Sequence, residues 1–572
     1  MRLSTLLSLA VAAAAASASG LVPTQTTKTK TKRWDKGFVT VENGQFIRNG
    51  EPFRFVGTNA YWLASLNTDA DINKTIHDIA SRGISVIRTW AFNDVDTIPV
   101  NGTWFQLIAN GTTSVNLGPT GLQKLDKVVQ FAEEAGVLLI MSLTNNWNPR
   151  PLLDNTTVVP VDGLARRDVT TGTNNSLPRN FLSNDFGGID AYVREFGKVK
   201  EHDQFFLTDG PIIDIFKNYT DQVVKRYKDS PAILAWELAN DPRCNSSLPA
   251  ASSCNTNTVT SWHANVAQHV AQTDPNHVVS SGAGGFLCMD CTKLFPLTPK
   301  PAPSASVKKA KRSVKPVTKE SLLKERRDRR KKTRELKKRE LLDRGDGLRI
   351  RGRWIATRQT DSTTDVLGSA FDGSSGVDAQ DILNAPNIGF GSFQLFPDQN
   401  SYGGTPDPNL PAFNNTVAEG IAWIQTQAQI AAAVGKPTIM NAFGLVTQDN
   451  APFFVPFNST IAPFNGTVPP SKKRQAAPVV NFGVTNAQQD DAYTQWITTA
   501  AQNGVAGAVQ YQWGQGSLTP SDGSIVSPNN AASDTVPNDS TSDASPNDGY
   551  QSAPTGNDGV ATVLNSLTSL FG

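Results

Sequence analysis

The chain has 572 residues, with 53 Lys/Arg against 51 Asp/Glu, four cysteines and 38% apolar residues. That length buries a sizeable core, and four cysteines are too few to scaffold it, so apolar packing must hold the fold. The net charge of +2 conceals two parts: residues 300–353 hold 22 Lys/Arg and 7 Asp/Glu, the remainder 31 and 44, an acidic body that argues against a nucleic-acid-binding protein.

In chain order, Met1-Arg2, the apolar run Leu6–Ala16 and Ala16-Ser17-Ala18 read as a secretory signal peptide over residues 1–18. The run is too short to span a bilayer, and the polar sequence behind it disfavours a buried helix. Residues 19–33 end in Lys32-Arg33 and read as a pro-segment cut at a dibasic site, leaving a mature start near Trp34. Glycosylation sequons begin at Asn73, Asn101, Asn110, Asn155, Asn174, Asn218, Asn245, Asn414, Asn458, Asn465 and Asn538. Behind a signal peptide they indicate a secreted, extracellular glycoprotein without a transmembrane segment.

From Phe38 onward, short β-branched runs alternate with amphipathic stretches, the pattern of repeated βα units. The expected strands are Phe53–Thr58, Ser85–Trp90, Val137–Thr144, Ala232–Leu238, His277–Ser281, Gly389–Phe396, Pro437–Phe443 and Gly507–Trp513. Helices are expected over Ile72–Ser81, Leu122–Ala135, Ile212–Tyr227, Val259–Gln272, Val417–Val434 and Gln488–Gln502. Eight strands of this kind predict an α/β chain closed as a (β/α)₈ TIM barrel over residues 34–516, with long inserted loops. An open doubly wound sheet is disfavoured because no Gly-rich phosphate loop follows the first strand.

Residues 148–184 and 295–365 interrupt the alternation in loops after strands three and five, on the face where barrels bind and react. The second insert is basic and reads as disordered, with a short solvated helix around Leu322–Leu342; its dibasic pairs suit a secretory-pathway processing protease, and acidic glycans or membranes are the other partners weighed. Residues 517–557 are low-complexity Ser/Asp/Asn/Pro, read as a disordered connector to a C-terminal helix over 558–572. Cys288-x-x-Cys291 has the spacing of a zinc or redox site, but no second Cys pair or His cluster accompanies it. Local disulfides Cys244–Cys254 and Cys288–Cys291 are therefore preferred, and neither metal nor cofactor is expected.

The string Trp236-Glu237-Leu238-Ala239-Asn240-Asp241-Pro242-Arg243-Cys244 resembles the strand-four signature of the family 5 glycoside hydrolases that are endo-β-1,4-mannanases. Arg88-Thr89-Trp90-Ala91-Phe92-Asn93-Asp94-Val95, Asn145-Asn146-Trp147 and Gln512-Trp513-Gly514 match the same family after strands two, three and eight. The resemblance implies a β-mannan or related wall polysaccharide as ligand. It also implies a catalytic pair of carboxyl groups about 5–5.5 Å apart. Here this sequence departs from the family. The acid/base position is Asp241 rather than Glu, the nucleophile position is Ala442, the strand-six His-x-Tyr is Gln394-Leu395-Phe396, and the strand-eight Trp is Tyr511.

These changes predict a binder in which retaining hydrolysis is lost or very weak. Its substrate contacts are expected from Arg88, Asn240, Arg243, Gln394, Phe396, Trp62, Trp90, Trp147, Tyr511 and Trp513, through aromatic stacking on sugar faces and hydrogen bonds to hydroxyls. Trp90 and Trp513 also fit as filling for the barrel top, and Glu237 as a buried structural acid. Two other readings stand beside this one. One is an active glycosidase with a rearranged pair, using Asp398 or Asp449 as a base about 6.5–9.5 Å from Asp241. The other is an extracellular surface or structural glycoprotein.

Overall fold

Eight short runs, almost every residue of which is buried, supply the strands: β1 Phe55–Asn59, β2 Val86–Trp90, β3 Leu138–Ser142, β4 Ile233–Glu237, β5 Val278–Ser280, β6 Gly391–Leu395, β7 Thr438–Phe443 and β8 Gly507–Gln510. Strands covered on both faces lose the polar alternation of half-exposed ones, so these runs read as continuous apolar segments. The computed structural model describes residues 37–149, 178–297, 317–343, 367–458, 483–526, 543–552 and 559–571. All eight strands pair in parallel in the order β5-β4-β3-β2-β1-β8-β7-β6, and a parallel bridge between Ser280 and Phe390 brings the two ends together. The result is the expected (β/α)₈ barrel, with each strand shorter than its sequence pattern by one to three residues.

The outer ring is α1 Asp69–Ser81, α2 Leu122–Ala135, α3 Pro211–Tyr227, α4 Thr256–Thr273, α5 Ala379–Asn384, α6 Ala412–Val434 and α7 Asn486–Gln502. Their ends follow local chemistry. Thr68 caps α1 by accepting from the Asp71 amide, and Asn255 with Thr258 and Thr485 with Gln488 form capping boxes on α4 and α7. Gly136 and Gly435, both left-handed, end α2 and α6.

A three-stranded sheet, Val39–Glu42, Gln45–Arg48 and Glu51–Phe53, closes the N-terminal end of the barrel. Its Phe46 meets Phe55 and Phe390 inside a core that also includes Val86, Leu138, Ile140, Leu234, Ile439 and Val509. Binding is thereby left to the opposite, C-terminal end. Both expected disulfides are present, Cys244–Cys254 and Cys288–Cys291.

Three segments outside the alternation pack on the barrel, two of them where loops and a helix were expected and the third where a disordered connector was. Residues 178–184 of the first insert pack on the rim: Leu182, Ser183 and Asn184 are buried, and the Ser183 carbonyl accepts from the Trp90 indole. The second insert contains a helix, Lys319–Asp343, whose first turns rest on the barrel. The described parts of the presumed connector, 517–526 and 543–552, bury Leu518, Val526, Asp548 and Tyr550 rather than hanging free. The C-terminal helix is present over Gly559–Leu567, packed on α7. The segments read as signal peptide and pro-segment, with Lys32-Arg33, and the dibasic pairs Arg166-Arg167, Lys311-Arg312 and Lys473-Arg474 lie outside the described residues. Among the described residues, no helix is long and apolar enough to cross a membrane.

Candidate carbohydrate site

The floor of the site is an ion pair inside the barrel. Arg88, near the end of β2, donates through Nε and Nη2 to both oxygens of Glu237 at the end of β4, at 3.0 and 2.5 Å. Glu237 also accepts from the Ser142 hydroxyl and from the Asn441 amide at 3.1 Å. The guanidinium reaches Asn59 at 2.9 Å and Asn240 at 2.8 Å. Both charges are essentially sealed, at 1% and 0% side-chain exposure, and each guanidinium nitrogen has an acceptor, as a buried pair requires. Glu237 is thus the structural acid that its depth on the strand suggested. Arg88, expected to touch substrate, instead lies beneath the site and holds Asn240 from below.

Above this floor the β4 loop turns sharply. Asp241 adopts φ +51°, a left-handed conformation that Asp tolerates better than most residues. Its amide donates to the Gly282 carbonyl at 2.9 Å. Its carboxylate is engaged on both oxygens: Arg243 Nε reaches one at 3.0 Å, while Arg243 Nη2 and the Trp147 indole reach the other at 2.8 and 3.1 Å. A Cβ on Gly284 would sit 2.4 Å from Asp241 Oδ1, so only glycine allows this approach. Arg243 in turn lies between the rings of Trp147 and Phe286, 5.5 and 4.2 Å from their centroids.

Across the barrel, the β6–β7 ladder skips a residue: Phe393 pairs with Met440, but Gln394 pairs with Ala442. Such a bulge re-aims neighbouring side chains. Asn441 points inward to Glu237, Phe443 packs on Tyr493, and Ala442 between them in sequence is buried, 2% exposed. Gln394 bridges the two halves by donating to Asn240 at 3.0 Å. Asp241 and Ala442 therefore both lie at the C-terminal ends of parallel strands.

The strand-eight side is aromatic. Phe396 meets Tyr511, Tyr550 and Phe457 edge to face, and Tyr511 stacks on Tyr61. Tyr511 donates its hydroxyl to Asp548 at 2.6 Å, and Gln512 donates to the other Asp548 oxygen at 2.7 Å while accepting from the Trp62 indole at 2.9 Å. Burial pushes Asp548 up to about 6 and Asp398 to about 7. Asp398 accepts from the Val446 amide, and Asp449 from Asn486, so both alternative bases are occupied in holding loops.

Among the predicted contacts, Trp147, Asn240 and Arg243 keep partly open surface. Gln394, Phe396 and Tyr511 line the inner wall with little exposure. Trp62, Trp90 and Trp513 are buried too, with their indoles bonded to Gln512, the Ser183 carbonyl and Gln515 respectively, and Trp90 and Trp513 fill the barrel top as their alternative reading had it. Sequence reasoning missed Asn59, Ser142 and Asn441, polar residues within apolar strands whose inward direction was the available signal. It also missed Phe286, Asp548 and Tyr550. Asp548 sits in a Ser/Asp/Asn-rich stretch where composition masked it.

A closed parallel barrel whose C-terminal rim gathers a strand-four Asn-Asp-Pro-Arg turn, facing aromatic rings and hydrogen-bonding side chains, is a glycoside-hydrolase-type barrel. Residues 36–298, which carry β1 to β5, match the family described as GH family 5 beta-mannosidase-like. The chain is 34% identical over 250 residues to the probable mannan endo-1,4-beta-mannosidase A-2 of Aspergillus terreus, covering 44% of this chain and 52% of that one. It is 35% identical over 247 residues to mannan endo-1,4-beta-mannosidase A of Podospora anserina, covering 43% and 54%. The match thus spans about half the length of these curated relatives. In fold, the endo-1,4-beta-mannanase of Rhizomucor miehei superimposes over 93% of this chain and 99% of its own, with a TM-score of 0.55 at 23% identity. The hyperthermostable mannanase of Thermotoga petrophila gives 0.53 at 20% identity, over 91% and 100%.

Proposed function

We propose that this chain acts outside the cell as a mannanase-type barrel that binds β-mannan or a related wall polysaccharide, with retaining hydrolysis lost or very weak. The observation that carries this reading is Ala442. A retaining mechanism needs a carboxylate there to form the glycosyl intermediate, and a buried methyl group paired with Gln394 offers no lone pair. Asp241 adds to it, since both its oxygens are accepting from Arg243 and Trp147. Binding needs less than catalysis. Trp147 presents an aromatic face, while Asn240 and Arg243 present amide and guanidinium groups suited to sugar hydroxyls.

The test uses the purified full chain with soluble mannan in two assays, affinity electrophoresis for binding and reducing-sugar release for turnover. Retarded migration that weakens in Trp147→Ala, with sugar release at background, is the expected result. Robust release abolished by Asp241→Ala would replace this reading with that of an active enzyme. Unretarded migration on mannan and on related glucans would leave the barrel as a display scaffold.

A further inference from the structure

The most asymmetric surface of the molecule lies outside the cleft, on helix Lys319–Asp343. This helix carries 12 Lys/Arg and six Asp/Glu in 25 residues. Its first turns are fastened to the barrel. Thr318 caps it, its hydroxyl accepting from the Ser321 amide at 3.2 Å, and Leu322 is buried behind Val317. Lys319 pairs with Asp290, and Arg326 and Arg330 both donate to the Thr405 carbonyl, at 2.8 and 2.7 Å. From Lys331 to Arg339 every residue except the half-buried Thr333 is exposed.

The order of the cations is more informative than their number. Lys324, Arg327, Lys331, Arg334 and Lys338 follow one another at intervals of three, four, three and four residues, and all five are exposed. On a helix that spacing places them in single file along one face. At 1.5 Å per residue the file is about 21 Å long, with a cation about every 5 Å, close to the repeat of sugars along an extended polysaccharide. Asp328 and Glu335 lie at one edge of the file, and Arg330 and Lys337 at the other. The docked end of the helix adjoins the loop of Tyr402, whose ring stacks on Phe286, the same ring that supports Arg243 in the cleft.

We propose that this cationic file is a docking surface for an anionic polysaccharide bearing an acidic group on successive sugars, separate from the neutral-sugar cleft. A membrane surface fits less well. An interfacial helix needs a broad apolar face, and the exposed turns from Lys331 to Arg339 carry a single leucine, Leu336. A nucleic-acid duplex fits less well too, because its width would bring its phosphates against the acidic remainder of the chain. A single polysaccharide strand lying along the file keeps its charges nearer to the cations than to the barrel, and screening beyond about 8 Å at physiological salt weakens the rest.

The test uses the full chain and polygalacturonate as the probe, with neutral mannan, phosphatidylserine vesicles and duplex DNA as comparisons. Binding to polygalacturonate is expected at low salt, falling steeply as salt approaches about 0.15 M. Replacing all five with glutamine, Lys324→Gln, Arg327→Gln, Lys331→Gln, Arg334→Gln and Lys338→Gln, should weaken it by about tenfold or more. Mannan binding and thermal unfolding should be unchanged in that variant. A second variant, Lys331→Glu with Glu335→Lys, preserves net charge and breaks the file, and should weaken binding about threefold. The proposal is overturned if polygalacturonate does not bind at low salt, if either variant binds it as wild type does, or if vesicles or DNA bind more tightly than polygalacturonate.

Discussion

Strands one to four end in a charged, hydrogen-bonded cluster, whereas strands six to eight set aromatic and methyl groups beside the few polar side chains, Gln394 and Asn441, that reach across to it. On the first side Arg88, Glu237, Ser142, Asn59 and Asn240 form one hydrogen-bonded unit, and Asp241 is tied to Arg243 and Trp147 above it. On the second side the wall is Ala442, Phe396, Tyr511 and Tyr550. The family match covers residues 36–298 and so stops with the first side. A residue that both holds the barrel and borders the cleft is costly to change, because its loss leaves buried charges unpaired. Ala442 has no such second task, and on the reading proposed above a catalytic side chain at that position has given way to a small apolar one without loss of fold.

The sharpest way to break that comparison is through turnover. On the reading proposed above the chain lacks a covalent nucleophile, whose removal costs on the order of 10⁶ in rate by analogy with other covalent catalysts, so the wild-type chain should release reducing sugar from mannan at background. Asp241→Glu together with Ala442→Glu should restore only a trace, because Gln394, Phe396 and Tyr511 still depart from the family pattern. Full recovery in that double variant would show that the strand-six and strand-eight changes are neutral, and that the second side differs at one residue rather than throughout.

Stability probes the first side. Glu237→Ala leaves the Arg88 guanidinium buried without its carboxylate, and breaking such a pair typically costs about 3–5 kcal/mol. Urea unfolding of the variant should show a loss in that range. Ala442→Ser, at the corresponding depth on the other side, should cost about 1 kcal/mol or less, since a hydroxyl at a partly polar site can find an acceptor. Similar losses in the two variants would erase the distinction between a side built of polar pairs and one built of packing.

What could be read beforehand follows the same division. All eight strands were legible because parallel strands buried on both faces leave continuous apolar runs, and Leu122–Ala135 was placed with its observed bounds because its apolar positions repeat at helical spacing. Asp241 and Ala442 were singled out by motif position, and the structure places Ala442 near the end of its strand and Asp241 just beyond the end of its own. Burial was legible only in part: Glu237 as a buried acid and Trp90 and Trp513 as barrel filling could be weighed, whereas Arg88 and Trp62 stand beside motif residues and their partners Glu237 and Gln512 come from other strands and loops. The segment around Asp548 was missed for a different reason. Its Ser/Asp/Asn composition resembles that of unstructured chain, and only the tertiary contacts of Asp548 and Tyr550 set it apart.

That segment supplies the smallest and most specific test, because it makes the second side responsive to protons. Asp548 is buried against Tyr511, Gln512 and main-chain amides, and its carboxyl rises to about 6, chiefly through burial. The unfolded chain releases this proton near the ordinary Asp value of about 3.9. Between these values the native state holds a proton that the unfolded state has lost, so the stabilisation is complete below the unfolded pKa and disappears as pH rises through the folded one. From about pH 5 to pH 7 this group alone should remove about 1 kcal/mol of stability. Asp398, raised to about 7 beside the same segment, contributes with the same sign. Asp548→Asn keeps the size and abolishes the titration, so its stability should fall less over that interval than that of wild type, by about 1 kcal/mol in paired urea titrations. Parallel curves for the two proteins would mean that Asp548 stays charged in the native state, with its bonds to Tyr511 and Gln512 compensating fully for burial.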